Sequence, residues 1–340
     1  MKVIQVPDRP ASPSFYAVAG RLLFVGSTDL RLGNLIERLC AGWQLTPVSF
    51  LERSPDIRID FFYGNERPQI PRSLNQFEIA DGGQCYTDGA GFYLALGDSL
   101  MHLQDGRPVE VKIWLKRIPD PGELTLARVT SFAICAALRR YGIFDIHSAG
   151  MVHPDSEKGV LIVGPSGSGK STLALNLATA GWPYLSDDEL LLSLAGSEVE
   201  ARGFRSFFAL STGNGALKTC FEPHDVFPSQ RRQQAIPGLL LFARLSEQKT
   251  ELKKLTQVET MARLLRACPW ATYDTSIAGA NLEVFSALAR QTTAFDLFAG
   301  RDLLDPRFAS DLLRDTTGVN ANGDPTLPRC GTDLIQGELV

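Results

Sequence analysis

Apolar and polar residues alternate in short segments over the first third of the chain, as they do in half-buried β-strands. Leu32, Leu35, Ile36 and Leu39 instead form a helical stripe that Thr28 or Asp29 can cap. The pattern therefore predicts one helix and several strands, in an α+β accessory domain over residues 1–120. The predicted strands are 15–19, 21–25, 57–63, 91–95 and 109–115.

Longer apolar runs and helical periodicities follow a turn-like Pro-Asp-Pro-Gly segment at 119–122, which predicts a domain boundary. The predicted helices are 123–141, 172–178, 259–266, 281–290 and 306–314, and the predicted strands are 143–152, 160–163, 184–185, 190–194, 199–208, 238–245 and 295–298. We expect an α/β domain over 121–315. The stretch 316–340, rich in Gly, Asn, Asp, Thr and Pro, is predicted to be a flexible tail.

A glycine-rich segment lies between the strand 160–163 and the helix 172–178. It reads Gly164, Pro165, Ser166, Gly167, Ser168, Gly169, Lys170, Ser171, Thr172. This is a complete G-x-x-x-x-G-K-[ST] phosphate loop between a strand and a helix. Its backbone N–H groups can surround an anion at a helix N-terminus, Lys170 can reach the β- and γ-phosphates, and Ser171 can ligate Mg²⁺. The motif predicts binding of a nucleoside triphosphate, with ATP and Mg²⁺ as the expected ligands.

Composition narrows the functional class only slightly. The 340 residues include 44% hydrophobic and 21% charged residues, with a net charge of −4. These values are typical of a globular protein and predict neither nucleic-acid nor membrane binding. The six cysteines form no CxxC pair, and the amino terminus does not read as a secretory signal. We therefore expect a cytoplasmic protein without a disulfide framework or a zinc site.

An acidic group follows the strand 184–185 and suggests a reaction. Asp187 lies 17 residues after Lys170, a separation that allows one helix and a returning strand. One carboxylate there can hold Mg²⁺, and a second can accept a proton from an attacking hydroxyl. Asp187, Asp188 and Lys170 are thus the catalytic candidates, with Ser171 and Asp187 as metal ligands. His147, just before the phosphate-loop strand, is a weaker catalytic candidate.

Other polar residues carry weaker signals. Arg205 and Lys218 can neutralise phosphate charge, but exposed cations usually have no specific role. Arg231 and Arg232 read as a solvated polar loop, and His153, before a proline, reads as a turn residue.

The residues from His147 to Glu189 resemble the HPr kinase/phosphorylase family, bacterial serine kinases with a PEP-carboxykinase-like nucleotide fold. The matching segments are HSAGMV and GVLIVGPSGSGKSTLALNLATAGWPYLSDDE, and a weaker similarity runs through 252–265 to 295–304. Thr172 stands where the family has Glu, Ser148 follows His147 in place of Gly, and the family's second signature is not found. The chain looks more like the divergent HPr-kinase-related proteins, including lasso-peptide-type kinases.

The resemblance implies a P-loop kinase domain of the PEP-carboxykinase/HPr-kinase-like type. Asp187 would be the general base, Lys170 and Ser171 the phosphate clamp and metal ligand, and Asp188 with His147 a supporting pair. The implied acceptor is a serine of a peptide or small protein, which includes biosynthetic precursor peptides. Independently of the resemblance, we expect the accessory domain to recognise the acceptor, because of its size and because it carries no chemistry of its own; homo-oligomer formation is left open.

Besides a degenerate scaffold that binds nucleotide without chemistry, two alternatives fit the same motifs. One is a small-molecule kinase on the same fold, since the acceptor loops do not identify the substrate. The other is a nucleotide-dependent ATPase or switch protein without an acceptor. The apolar run 239–244 ends without a carboxylate, which does not favour the second alternative.

Overall fold

A computed structural model describes residues 14–49, 53–71, 74–79, 82–87, 91–120, 124–211, 218–221 and 230–317. This part of the chain has a mixed α/β architecture with two nine-stranded sheets and one two-stranded ribbon. The coarse fold class predicted from the sequence is therefore confirmed. None of the described helices has both the length and the apolar character needed to cross a bilayer.

The first sheet has the strand order β3-β1-β2-β4-β9-β8-β7-β6-β5. Its strands are β1 (Ser14–Val18), β2 (Arg21–Ser27), β3 (Thr46–Pro47), β4 (Ile57–Tyr63), β5 (Asn75–Glu78), β6 (Gln84–Thr87), β7 (Gly91–Leu96), β8 (Ser99–Gln104) and β9 (Val109–Leu115). Helix α1 (Leu30–Ala41) follows β2, and the Asp29 carboxylate caps it by accepting from the Arg31 and Leu32 N–H groups at 2.8 and 3.1 Å. All five strands expected here are present. The other four, β3, β5, β6 and β8, were not predicted, because apolar and polar residues alternate less clearly in their sequences.

Helix α2 (Leu124–Arg139) belongs to the core of this first sheet. Its Val129, Ile134 and Leu138 are completely buried in one cluster with Ile59 of β4 and Ile113 of β9. The amino-terminal core therefore continues past residue 120, although the sequence pattern assigned this helix to the second domain. The domain boundary itself stays a prediction.

The second sheet has the order β17-β14-β13-β10-β11-β18-β20-β19, with β12 also paired to β10. Its strands are β10 (Phe144–Val152), β11 (Gly159–Val163), β12 (Tyr184–Ser186), β13 (Glu189–Ala195), β14 (Glu198–Gly203), β17 (Gln234–Ala235), β18 (Pro237–Leu245), β19 (Glu251–Lys254) and β20 (Thr293–Ala299), while β15 (Phe208–Ser211) and β16 (Lys218–Phe221) form the ribbon. The helices are α3 (Lys170–Thr179), α4 (Gln257–Ala267), α5 (Trp270–Tyr273), α6 (Thr275–Gln291) and α7 (Pro306–Thr317).

Three parallel strands, β11, β18 and β20, form the centre of this sheet. Apolar side chains of α3 and α7 cover one face, and those of α4 and α6 cover the other. Strands buried on both faces need apolar residues at nearly every position, so they appear as continuous apolar runs in the sequence. Those runs made 160–163 and 238–245 easy to predict.

Two expectations differ from the structure. The predicted strand 199–208 ends at Gly203, and β15 starts at Phe208, because the backbone around Arg205 pairs with Trp43 and Ser186 instead of continuing the sheet. Helix α7 reaches Thr317, two residues into the predicted tail. Residues 318–340 of that tail and 121–122 of the predicted linker lie outside the described residues.

Candidate functional site: the phosphate loop and the acidic turn

The glycine-rich segment forms a tight loop from the end of β11 to the start of α3. Gly167 and Gly169 have φ values of 81° and 91°, a backbone region that residues with a side chain rarely adopt. A Cβ atom on Gly164 would lie 2.5 Å from the Ser168 hydroxyl oxygen and 2.7 Å from the Ala243 carbonyl oxygen. The loop conformation therefore requires glycine at these three positions.

The polar groups of the loop suit an anion. The Lys170 ammonium lies within the loop and donates to the Gly164 and Pro165 carbonyl oxygens at 2.8 and 3.0 Å. The Ser168 hydroxyl is buried and makes no hydrogen bond with any residue that the structure describes. Ser171 and Thr172 lie in the first turn of α3, where helix N–H groups point toward the loop. A phosphate chain fits this donor set.

The predicted acidic turn connects β12 to β13 and lies beside the end of β11. Strand β10 makes this arrangement, because it pairs with β11, β12 and β13. Ser148 of β10 is opposite Val163, the last residue before the loop, and the Ser148 N–H donates to the Asp188 carbonyl oxygen at 3.1 Å. Asp187 and Asp188 thus follow β12, and only β10 separates β12 from the strand that carries the phosphate loop.

Four side chains form a connected polar chain at this turn. His147 Nδ1 is 3.3 Å from Asp188 Oδ1, and Arg205 Nε is 3.4 Å from Asp188 Oδ2. The same Arg205 Nε is 3.2 Å from Glu189 Oε2. Asp188 keeps 29% and His147 46% of its side chain exposed, whereas Asp187 is only 1% exposed. Asp188 is therefore contacted from two sides, while almost none of the Asp187 surface is exposed.

Helix α2 contributes the groups behind the acidic turn. Ser131 Oγ and Cys135 Sγ donate to the Glu189 carboxylate at 3.3 and 3.4 Å. Burial raises the pKa of the Glu189 carboxyl, and the Arg205 charge partly opposes that rise. Cys135, Asp145 and Glu189 could together reach one metal ion. However, Asp145 accepts two hydrogen bonds from Arg139, at 2.7 and 2.9 Å, and we assign no metal to this group.

The loop after α1 also reaches the turn, which the sequence pattern did not reveal. Gln44 Nε2 donates to the Leu185 carbonyl oxygen at 2.8 Å and to the Arg205 carbonyl oxygen at 2.9 Å. Trp43 stacks on Phe204, with ring centroids 6.0 Å apart. The amino-terminal region therefore fixes the backbone just before the acidic pair and the backbone of Arg205, whose side chain contacts Asp188.

The remaining sequence candidates have three different outcomes. His153 is a turn residue, as predicted: its Nδ1 accepts from the Asp155 and Ser156 N–H groups at 3.2 and 3.1 Å. Arg232 is exposed and Arg231 half-buried, in line with the expected solvated segment, but the Arg232 N–H donates to the Tyr184 carbonyl oxygen, so the backbone extends the edge of β12 instead of forming a free loop. Lys218 begins β16, but its side chain lies outside the described residues.

Sequence reasoning gave Arg205 little weight and assigned no role to Glu189 or Gln44. Glu189 had one available signal, since it directly follows the acidic pair. Arg205 and Gln44 had none, because their contacts span 16 and 141 residues of chain.

No protein-family model and no curated protein matches the chain. Among solved structures, it is similar to the Hpr(Ser) kinase/phosphatase from Coxiella burnetii. The two share 16% sequence identity over 51% of this chain and 95% of that one, with a TM-score of 0.33. A likeness this distant assigns a role to no residue, so the HPr-kinase-like type of the domain stays a prediction.

Proposed function

We propose that this protein is a Mg²⁺-dependent phosphotransferase. It transfers the γ-phosphoryl group of ATP to a hydroxyl group, and the proposed acceptor is a serine of a peptide or small protein. One observation carries the proposal: strand β10 brings the acidic turn to the end of the strand that opens into the phosphate loop. A loop suited to phosphates and a candidate base thus lie one strand apart, on either side of β10.

The loop residues bind and orient the triphosphate in this mechanism. Backbone N–H groups between Gly164 and Lys170 surround the phosphates, and the Lys170 ammonium neutralises charge on the β- and γ-phosphates. Ser171 and Asp187 supply oxygen atoms of the kind that Mg²⁺ prefers, and they would hold the ion. Bound Mg²⁺ supplies further charge neutralisation at the transferred group.

Asp187 is the proposed general base. It accepts the proton of the acceptor hydroxyl while the new O–P bond forms and the bond from phosphorus to the β,γ-bridging oxygen breaks, which releases ADP. His147 and Asp188 form the supporting pair beside it. Most of the rate enhancement comes from positioning and charge neutralisation, because the protein forms no covalent bond to the substrate.

Substitution of Asp187 tests this proposal. We expect Asp187→Asn to bind ATP with nearly unchanged affinity and to lose transfer by about 10²- to 10⁴-fold, the range for removal of a catalytic base. Asp98→Asn is the matched control, since Asp98 is 59% exposed in the amino-terminal region. The assay follows labelled phosphate from ATP into a panel of serine peptides and small hydroxyl metabolites, with intact-mass analysis of each product. Near-normal transfer by Asp187→Asn would refute the role of this carboxylate.

The wild-type protein in the same assay separates the rival functions. Label on peptides supports the proposed acceptor class, and label on metabolites alone favours a small-molecule kinase. Release of inorganic phosphate without any labelled acceptor favours an ATPase or switch protein.

A further inference from the structure

An exposed leucine lies against the phosphate loop on the side away from the acidic turn. Leu245 is the last residue of β18 and is 66% exposed. A Cβ atom on Gly169 would lie 3.2 Å from Leu245 Cδ2, so the leucine contacts the loop at the start of α3. A single exposed leucine is common at protein surfaces. This one differs because it contacts the loop where the proposed function places the phosphates.

The sheet topology gives the nucleotide a direction. Strand β11 has β10 on one side and β18 on the other, so the flanking strands are roughly 10 Å apart at ordinary strand spacing. The acidic turn is on the β10 side. If the proposed function holds, the γ-phosphate faces that side, and the other end of the nucleotide extends across the loop toward β18.

We propose that the nucleoside end of the substrate binds over the carboxyl end of β18, with Leu245 packed against the sugar or base. Ligands of open α/β sheets bind outside the carboxyl ends of parallel strands. In this sheet the parallel strands β11, β18 and β20 have their carboxyl ends at the same edge. An apolar contact beside a set of phosphate-binding groups suits a molecule that is charged at one end and largely flat and apolar at the other.

The surface around Leu245 is formed in advance by the chain after β18. The Ser246 N–H donates to the Ala299 carbonyl oxygen at 2.9 Å, and the Thr250 N–H donates to Asp302 Oδ2 at 3.0 Å. A Cβ atom on Gly300 would lie 2.7 Å from the Thr250 nitrogen, so this segment packs closely on the turn after β20. Ordering it on binding would therefore cost little free energy.

Arg244 borders the same surface and is held away from Leu245. Its guanidinium lies 4.9 Å from the centre of the Phe298 ring and 3.1 Å from Asp296 Oδ1. Neighbouring residues in a strand point to opposite faces, so Arg244 leaves the apolar surface of Leu245 uncovered.

A comparison of two ligands tests the proposal by calorimetry. The ligands are Mg²⁺–ATP and Mg²⁺–tripolyphosphate, and the second has the phosphates without the nucleoside. We expect Leu245→Asn to weaken ATP binding about tenfold and to leave tripolyphosphate affinity unchanged. Leu245→Met should bind ATP as the wild type does. Leu30→Asn is the matched control, because Leu30 is 62% exposed at the start of α1.

Each outcome is decisive. Equal ATP affinity of the wild type and Leu245→Asn overturns the nucleoside site and leaves the proposed function standing. Equal weakening of both ligands also overturns it, because the leucine would then act only on the loop. Failure of the wild type to bind either ligand refutes the proposed function and this inference together.

Discussion

The two nine-stranded sheets differ in how much chemistry they carry. The second sheet holds the phosphate loop, the acidic turn and His147, whereas the first contributes Gln44 and the α2 groups that support the turn. The central strands of the second sheet are parallel and largely buried on both faces, while β4, β6 and β7 of the first alternate between buried and half-buried positions over most of their length. Under the proposed function, the second sheet binds the substrates and carries the reacting groups, while the first sheet holds those groups in place.

Among the tests that compare the two sheets, the largest effect is expected in the second sheet, at the phosphate loop. Lys170→Ala removes the ammonium from the loop, so we expect ATP affinity to fall by roughly 10²-fold and transfer by about 10³-fold. Calorimetry and the labelled-phosphate assay measure the two effects. Lys158→Ala is the control, because Lys158 is half-exposed and its ion pair with Glu198 is long, at 3.9 Å. If Lys170→Ala binds ATP like the wild type, the phosphate loop does not bind nucleotide in the proposed way.

A smaller effect is expected where the two regions meet. Arg205→Ala removes the guanidinium that contacts both Asp188 and Glu189. We expect transfer to fall about 10- to 100-fold, as it does when a group that orients a metal ligand is lost. ATP affinity should change little, because Arg205 contacts the acidic turn and not the loop in the described contacts.

Arg205→Lys and Arg202→Ala sharpen that measurement. Arg205→Lys keeps the charge and should restore part of the transfer rate. Arg202 pairs with Glu200 at 2.6 Å on β14, and its loss should leave transfer unchanged. An equal loss for Arg202→Ala would mean that damage to the sheet, rather than to the acidic turn, lowers the rate.

The smallest expected effect tests the support from the first sheet. Gln44→Ala removes two hydrogen bonds to the backbone beside the acidic pair, so we expect a loss of about 1–2 kcal/mol in the free energy of unfolding. The transfer rate should fall severalfold at unchanged ATP affinity. Denaturant unfolding and the transfer assay check both results, with exposed Gln76→Ala as the control. Unchanged transfer would show that the first sheet does not set the geometry of the turn.

Local sequence determined the parts of this molecule that depend on neighbouring residues. The phosphate loop was predictable because its glycines, Lys170 and Ser171 act through one continuous stretch of backbone. The α1 cap at Asp29 and the buried strands β11 and β18 were predictable for the same reason, since their signals lie within a few residues.

Tertiary structure alone decided which distant side chains meet. The contacts of His147 with Asp188 and of Arg205 with Glu189 depend on the pairing of β10 with β13 and on the end of β14 at Gly203. The contact of Gln44 with Leu185 and the packing of α2 on the first sheet likewise cross large sequence separations. Strand pairing depends on the fit of whole faces, and no local pattern of residues records which strand will be the neighbour.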